Sequence, residues 1–345
     1  MMNRTRVLVV DDSIFIRQML VDALSSQPDF EVVGSAKDGQ DALAKVEALK
    51  PDVVTMDVEM PRMNGLEALR RIMAVRPIPV IMVSTLTAAG TATTLQSLEA
   101  GAVDFVCKPT GGAVAAVRAL REDLFDKIRA ARSAKVGQAA KQGVRLVRPV
   151  ASSDKVILIA CSTGGPRALT TLFEHMPKGL TVPVLIVQHM PAGFIDSLAK
   201  RLDRIGTLPC AEAHPGDCVT PGQALIAPSG THMSVMNGGE LIFSDEPTLH
   251  GVKPAADYLF KSAAKVYGSR CLGSILTGMG RDGADGALCV KNAGGIVYGE
   301  SEDTCTVYGM PRAAKALGAI EQEVPIEDMA GALVSSLHGR IAHAG

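Results

Sequence analysis

Short apolar runs alternate with segments of helical period along most of the chain. Val7–Val10, Val32–Ser35, Val53–Met56, Val80–Val83 and Asp104–Val106 predict five strands. Between them, Ile14–Leu24, Asp41–Leu49, Gly65–Val75 and Thr91–Ala100 repeat their apolar positions at helical spacing. Strands alternating with helices call for a parallel sheet covered on both faces. The pattern then lapses. Between Lys127 and Val150 stand seven basic residues and no acidic one. With no aromatic among the charges, this predicts a solvated linker over 133–152 rather than a nucleic-acid arm. From Lys155 the alternation resumes, with strands expected at Val156–Ala160, Val184–Val187, Gln223–Ala227, Cys271–Thr277 and Gly295–Tyr298. The chain therefore reads as α/β throughout, with one domain over 1–132 and a second over 153–345.

Composition narrows the picture. At 345 residues the chain exceeds what one core usually organises. The net charge of −1 supplies no general attraction to nucleic acid or anionic lipid. No apolar stretch approaches the ~18 residues of a membrane span, and Val7–Val10 runs at once into Asp11 and Asp12, too short for a secretory leader. Seven cysteines without a CxxC pair fit reduced thiols, so the protein is expected in the cytoplasm. Trp is absent, and the cores must be aliphatic.

In open α/β sheets functional groups collect beyond the carboxyl ends of the strands. In the first half that rule gathers Asp11 and Asp12 after strand one, Asp57 after strand three, Ser84 after strand four and Lys108 after strand five. Converging carboxylates repel unless a cation neutralises them, and hard oxygen donors favour Mg²⁺. Lysine and hydroxyl complete a site where a carboxylate can accept a phosphoryl group.

The runs Val7-Leu8-Val9-Val10-Asp11-Asp12, Met56-Asp57-Val58-Glu59-Met60-Pro61-Arg62-Met63-Asn64-Gly65 and Lys108-Pro109 resemble the receiver domains of two-component response regulators. The resemblance implies a flavodoxin-like five-stranded parallel domain with Asp57 as phosphoacceptor. Mg²⁺ would be held by Asp12 and Asp57, helped by Asp11 and the Glu59 carbonyl, while Ser84 and Lys108 sense the phosphate.

In the second half, Val156–Ala160 breaks into Cys161-Ser162-Thr163-Gly164-Gly165-Pro166 before a helical stretch at Arg167–Glu174. A small-residue turn there lifts a side chain to the sheet edge and aims backbone N–H groups at one point. By itself it fits a serine nucleophile, a phosphate cradle or a plain tight turn. His189 follows the strand ending at Val187, and Asp282 lies in Thr277-Gly278-Met279-Gly280-Arg281-Asp282-Gly283, after another strand. Serine, histidine and aspartate at three ends of one sheet can converge as nucleophile, base and orienter. Rivals exist: His232 as base, Asp257 or Asp285 as orienter, Cys161 as a thiol nucleophile. The order Ser–His–Asp disfavours a generic lipase.

Ser162-Thr163-Gly164-Gly165-Pro166, Gln188-His189-Met190 and the Thr277–Gly283 loop together resemble the catalytic domain of the chemotaxis methylesterase (CheB) family. Ala160-Cys161 stands where that family usually has Gly-Ala. The resemblance implies a doubly wound α/β domain with Ser162 as nucleophile, His189 as base, Asp282 as its partner, and N–H groups at Thr163 and Met279 as oxyanion donors. It further implies methylated chemoreceptors as substrates, receptor glutamines as deamidation sites, a chemotaxis histidine kinase as phosphodonor, and a receiver that obstructs the esterase until Asp57 is phosphorylated. No cofactor is expected for the esterase. The alternatives are a response regulator with a DNA-binding or otherwise non-catalytic second half, and a small-ester serine hydrolase. Against DNA binding, the C-terminal segment is glycine-rich α/β, without a basic helix-turn-helix.

Overall fold

The structure, a computed structural model, describes residues 4–109, 114–137 and 154–337. It divides into two compact units, Met1–Ala139 and Ala140–Gly345. Most of the segment expected to be a linker lies outside the described residues.

In the first unit β1 (Thr5–Val10), β2 (Phe30–Ala36), β3 (Val53–Asp57), β4 (Val80–Ser84) and β5 (Asp104–Cys107) alternate with α1 (Ile14–Ser25), α2 (Gly39–Leu49), α3 (Gly65–Val75), α4 (Ala88–Glu99) and α5 (Val114–Ala131). The strands form one parallel sheet in the order β2-β1-β3-β4-β5. Val7, Val9, Val53, Ile81 and Val83 are sealed beneath Leu20 and Leu24 of α1 and Leu124 and Ile128 of α5. Burial on both faces explains why these strands read as unbroken aliphatic runs. Side chains of Ser13, Asp38, Asn64 and Thr87 accept from the N–H groups of Ile16, Asp41, Glu67 and Gly90, starting α1 to α4. The chain leaves β1 first to β2 and then to β3. The strand order therefore reverses at β1, and a crevice opens between the ends of β1 and β3.

The second unit contains β6 (Val156–Cys161), α6 (Gly165–His175), β7 (Val184–Gln188), α7 (Ile195–Ile205), β8 (Cys210–Glu212), β9 (Ala224–Ile226), β10 (His232–Val235), β11 (Leu241–Ser244), α8 (Ala256–Tyr267), β12 (Cys271–Ile275), α9 (Ala284–Asn292), β13 (Ile296–Glu300), α10 (Met310–Ala316), β14 (Gln322–Val324) and α11 (Ile326–Leu337). Seven strands run parallel in the order β14-β13-β12-β6-β7-β9-β8, and β10 and β11 form an antiparallel hairpin. The middle strand β6 is wholly buried between β12 and β7. The chain leaves β6 toward β7 and later returns on the other side through β12. That reversal puts the ends of β6, β7 and β12 around one crevice.

Candidate active site

The first-unit crevice holds the predicted acidic cluster. Asp11, Asp12 and Asp57 each offer an oxygen within 4.8 Å of the others. Lys108 Nζ reaches Asp11 Oδ2 at 2.9 Å and Asp57 Oδ2 at 2.7 Å. Burial pushes the Asp57 carboxyl up to about 6, Asp11 adds to the rise, and Lys108 and the Glu59 N–H oppose it. Burial would also depress the Lys108 ammonium, but hydrogen bonds to Asp57 and Asp11 outweigh it and hold the lysine protonated. Ser84 is buried, its Oγ accepting from Thr94 Oγ1 at 2.6 Å, and its carbonyl accepts from the Lys108 N–H at 2.7 Å.

The donor set suits a small hard cation. Asp11 Oδ2 is buried and, apart from facing the Lys108 ammonium, has no hydrogen-bond donor among the described residues. Three carboxylates there share one ammonium, which leaves negative charge for a further cation to answer.

In the second-unit crevice, the structure sets the Ser162 and His189 turns side by side. Cys161 and Gln188 are register partners at the ends of β6 and β7, and the His189 N–H donates to the Cys161 carbonyl at 3.1 Å. On the other flank the Ser162 N–H donates to the Thr277 carbonyl at 3.0 Å. His189 Nε2 lies 2.7 Å from Asp282 Oδ2. A carboxylate accepts, so Nε2 carries the proton, and Nδ1 is the ring nitrogen left to take one up. Burial works to raise the Asp282 pKa. The hydrogen bond and charge of His189, with the N–H groups of Ala256 and Asp257, outweigh it and hold the carboxyl below the usual carboxylate range.

Glycine is required at the turn. Gly164 has φ +80°, and a Cβ there would meet Thr306. A Cβ at Gly278 would press on Ser162 Cβ at 2.8 Å. Thr277 Oγ1 donates to the Thr163 carbonyl at 2.9 Å, which sets the Thr163–Gly164 peptide of the turn. Met279 is 37% exposed beside it.

The rivals are placed elsewhere. His232 is fully buried; its Nδ1 accepts from the Ala255 N–H at 3.0 Å, its Nε2 donates to the Pro247 carbonyl at 3.1 Å, and its ring stacks on Tyr258. Both nitrogens are spent on structure. Asp257 pairs with His250 at 3.0 Å, and Asp285 with Arg281 at 3.0 Å. Cys161 is fully buried, donates to Gln188 Oε1 at 3.0 Å, and burial raises its pKa far above the usual thiol value, so no thiolate is available.

Sequence reasoning gave no role to Gln188, His250 or Glu300. Gln188 Nε2 donates to the carbonyls of Ser162 (3.0 Å) and His189 (2.9 Å). Glu300 is buried at the end of β13, where it accepts from the Thr277 N–H at 2.8 Å and from Thr304 Oγ1 at 3.1 Å. A polar residue closing an aliphatic strand was the available signal for Gln188 and Glu300. His250 had none.

Residues 157–333 match the CheB methylesterase family model, and residues 7–118 match the response regulator receiver domain model. A Pyrococcus abyssi protein named protein-glutamate methylesterase/protein-glutamine glutaminase is 42% identical over 345 residues, spanning 97% of this chain and 94% of its own. The chain belongs to the CheB methylesterase family. A Symbiobacterium thermophilum member of the same name is 44% identical, covering 96% of this chain and 97% of its own. The solved catalytic domain of the Thermotoga maritima CheB methylesterase superposes with a TM-score of 0.51 at 38% identity, covering 53% of this chain and 99% of that domain. The family's usual Gly-Ala before the serine is Ala160-Cys161 here, and the Cys161 thiol is absorbed as a donor to Gln188.

Proposed function

We propose that this chain is a cytoplasmic, phosphorylation-regulated protein-glutamate methylesterase and glutaminase acting on chemoreceptors. The observation that carries the reading is the 2.7 Å His189 Nε2–Asp282 Oδ2 hydrogen bond, formed one strand from the turn that presents Ser162. Ser162 Oγ attacks the ester carbonyl carbon as His189 Nδ1 takes its proton, and Asp282 stabilises the imidazolium. Backbone N–H groups of Thr163 and Met279 receive the developing oxyanion; losing one such donor typically costs about 10²–10³ in rate. The tetrahedral adduct collapses, and the departing oxygen takes the proton from His189 to leave as methanol. His189 then deprotonates water, which attacks the glutamyl ester, freeing the glutamate carboxylate and Ser162. A glutamine amide follows the same course and releases ammonia.

On the receiver, Asp57 accepts the phosphoryl group from a chemotaxis histidine kinase. Asp11, Asp12, Asp57 and the Glu59 carbonyl would hold Mg²⁺, which when bound would supply positive charge for the phosphoryl transfer. Lys108 neutralises the acceptor side, and Ser84 senses the new phosphate. Among the described residues no helix is long and apolar enough to cross a membrane.

The test is methanol release from methylated receptor membranes, with and without a small acyl phosphate. Wild type should release methanol faster with the phosphodonor, Asp57→Ala should not respond to it, and Ser162→Ala should release none. Activity surviving in Ser162→Ala overturns the assignment.

A further inference from the structure

Helices α8 and α9 start without a capping side chain at their own N-cap residues, Ala255 and Gly283. Each is instead capped by a carboxylate belonging to the other. Asp282, the residue before Gly283, accepts from the first two N–H groups of α8, Ala256 at 2.6 Å and Asp257 at 3.2 Å. Asp257, the second residue of α8, accepts at Oδ1 from the Gly286 N–H in the first turn of α9 at 2.6 Å. Helix N-termini favour such anions, so each acid stabilises the start of the neighbouring helix.

Each of these carboxylates also holds an imidazole. Asp282 Oδ2 takes His189 Nε2 at 2.7 Å, and Asp257 Oδ2 takes His250 Nε2 at 3.0 Å. One ligand atom from each of His250, Asp257 and Asp282 falls within a 4.8 Å spread. Both acids are buried, and adjacent carboxylates repel strongly at low dielectric. His250 is partly exposed and takes a left-handed backbone, φ +55°, an arrangement that costs energy in a residue with a side chain. His250 also lies 3.9 Å from Asp285 Oδ2, itself paired with Arg281, and Asp257 Oδ2 lies 3.9 Å from Lys261 Nζ.

We propose that Asp257 and His250 form a second His–Asp pair that positions Asp282 for the hydrolysis and sets the charge around it. The inference rests on the triad reading and adds two residues to it. Asp257 acts on Asp282 through the shared helix starts, not on substrate. Its backbone N–H fixes Asp282 Oδ1 while its side chain fixes the turn that carries Asp282. His250 gives Asp257 Oδ2 a donor of its own.

Asp257→Asn separates charge from packing, because an asparagine oxygen still accepts from the Gly286 N–H and its backbone still donates to Asp282. What goes is one buried negative charge and the acceptor for His250.

The experiment measures kcat and KM for methanol release by the full chain on methylated receptor membranes with acyl phosphate, across pH 5.5–9. Asp257→Asn should lower kcat roughly 10- to 100-fold, the range typical when the partner behind a functional histidine is lost. KM should stay within about twofold. His250→Ala should lower kcat similarly, and His250→Gln, which keeps an N–H donor for Asp257, should recover part of it. Because His250 contributes to neither helix cap, its variants decide the question even if Asp257→Asn fails to fold. Wild-type kcat in His250→Ala, with Ser162→Ala inactive, overturns this proposal alone. Activity in Ser162→Ala overturns the triad beneath it.

Discussion

Gln188 Nε2 donates to the Ser162 carbonyl at 3.0 Å, so the side chain that closes β7 holds the peptide that follows β6. The same nitrogen holds the His189 carbonyl, and Oε1 takes the Cys161 thiol and fills the space a Cβ at Gly165 would need. One buried amide thus fixes the spacing of two turns joined otherwise only by the sheet.

Replacing Gln188 with Leu keeps the volume and removes every one of those bonds. The Ser162 carbonyl keeps the Gly165 N–H at 2.7 Å, but the part-buried His189 carbonyl loses its Gln188 donor, at up to about 1–3 kcal/mol when nothing replaces it. The expected result is a lower melting temperature and at least about a tenfold fall in kcat, since a misplacement of ~1 Å can cost about 100-fold. Thermal melting and steady-state methanol release check both; an unchanged kcat in a destabilised variant would confine Gln188 to folding.

Asp282→Asn meets a sharper conflict. Oδ2 accepts from both His189 and Ala256, and Oδ1 accepts from Asp257. An amide nitrogen at either position confronts a donor. If it faces His189, it forces the ring into the tautomer whose Nδ1 already carries a proton and cannot take one from Ser162. On the proposed triad, the expected loss is on the order of 10⁴ in kcat, the size seen for the equivalent change in known Ser-His-Asp hydrolases, measured as methanol release at saturating substrate.

What the sequence made legible follows from strand length and strand composition. Buried runs such as Val7–Val10 and Val156–Cys161 are long and aliphatic, and the residues closing them fall at the carboxyl edge by the geometry of a parallel sheet. Asp57 and Lys108 were therefore expected together, as were His189 and Asp282. The three-residue strands β8 and β14 are too short to show a period. The hairpin residues His232–Val235 and Leu241–Ser244 mix polar and apolar positions without a two-residue turn signal. The crossed caps of α8 and α9 were illegible for another reason. Asp257 and Asp282 sit 25 positions apart, and nothing local announces that each serves the other's helix.

At the receiver, protons compete with Mg²⁺ for Asp57, whose carboxyl burial pushes to about 6. Above that pH the acid is ionised and open to the cation; below it, each pH unit should weaken apparent Mg²⁺ affinity by up to about tenfold. The linked stability has the same sense. A raised carboxyl pKa leaves the folded receiver unpenalised below the ordinary value of 3.8, and the cost develops as pH rises through 6. Mg²⁺ should therefore raise the receiver's melting temperature at pH 7.5 and scarcely at pH 5. Calorimetric titration at the two pH values is the direct check, because the receiver has neither Trp nor Tyr to report binding. Equal affinity at both would remove Asp57 from the cation's ligands.

Glu300 gives the second unit its own dependence on pH. Burial raises its carboxyl from 4.5 to about 7, against hydrogen bonds from the Thr277 N–H and Thr304 hydroxyl that favour the anion. The folded protein thus holds this proton more tightly than the unfolded chain. Its contribution to stability is complete below about pH 4.5 and is lost as pH rises through 7. Taken over the whole interval the loss is at most about 3 kcal/mol, at 1.36 kcal/mol per pH unit. Glu300→Gln keeps an acceptor for the Thr277 N–H and cannot ionise, so it should flatten the slope between pH 4.5 and 7 and leave the variant the more stable protein above pH 7. All four tyrosines, at 258, 267, 298 and 308, lie in the second unit, so tyrosine fluorescence during urea unfolding reports on that unit alone. Ser162 is tied to Thr277 by its N–H, and Thr277 to Glu300 by its own. The same substitution should therefore also change how methanol release varies between pH 6 and 8. A wild-type slope in the variant would mean that Glu300 carries its charge without cost, and that some unseen donor answers it.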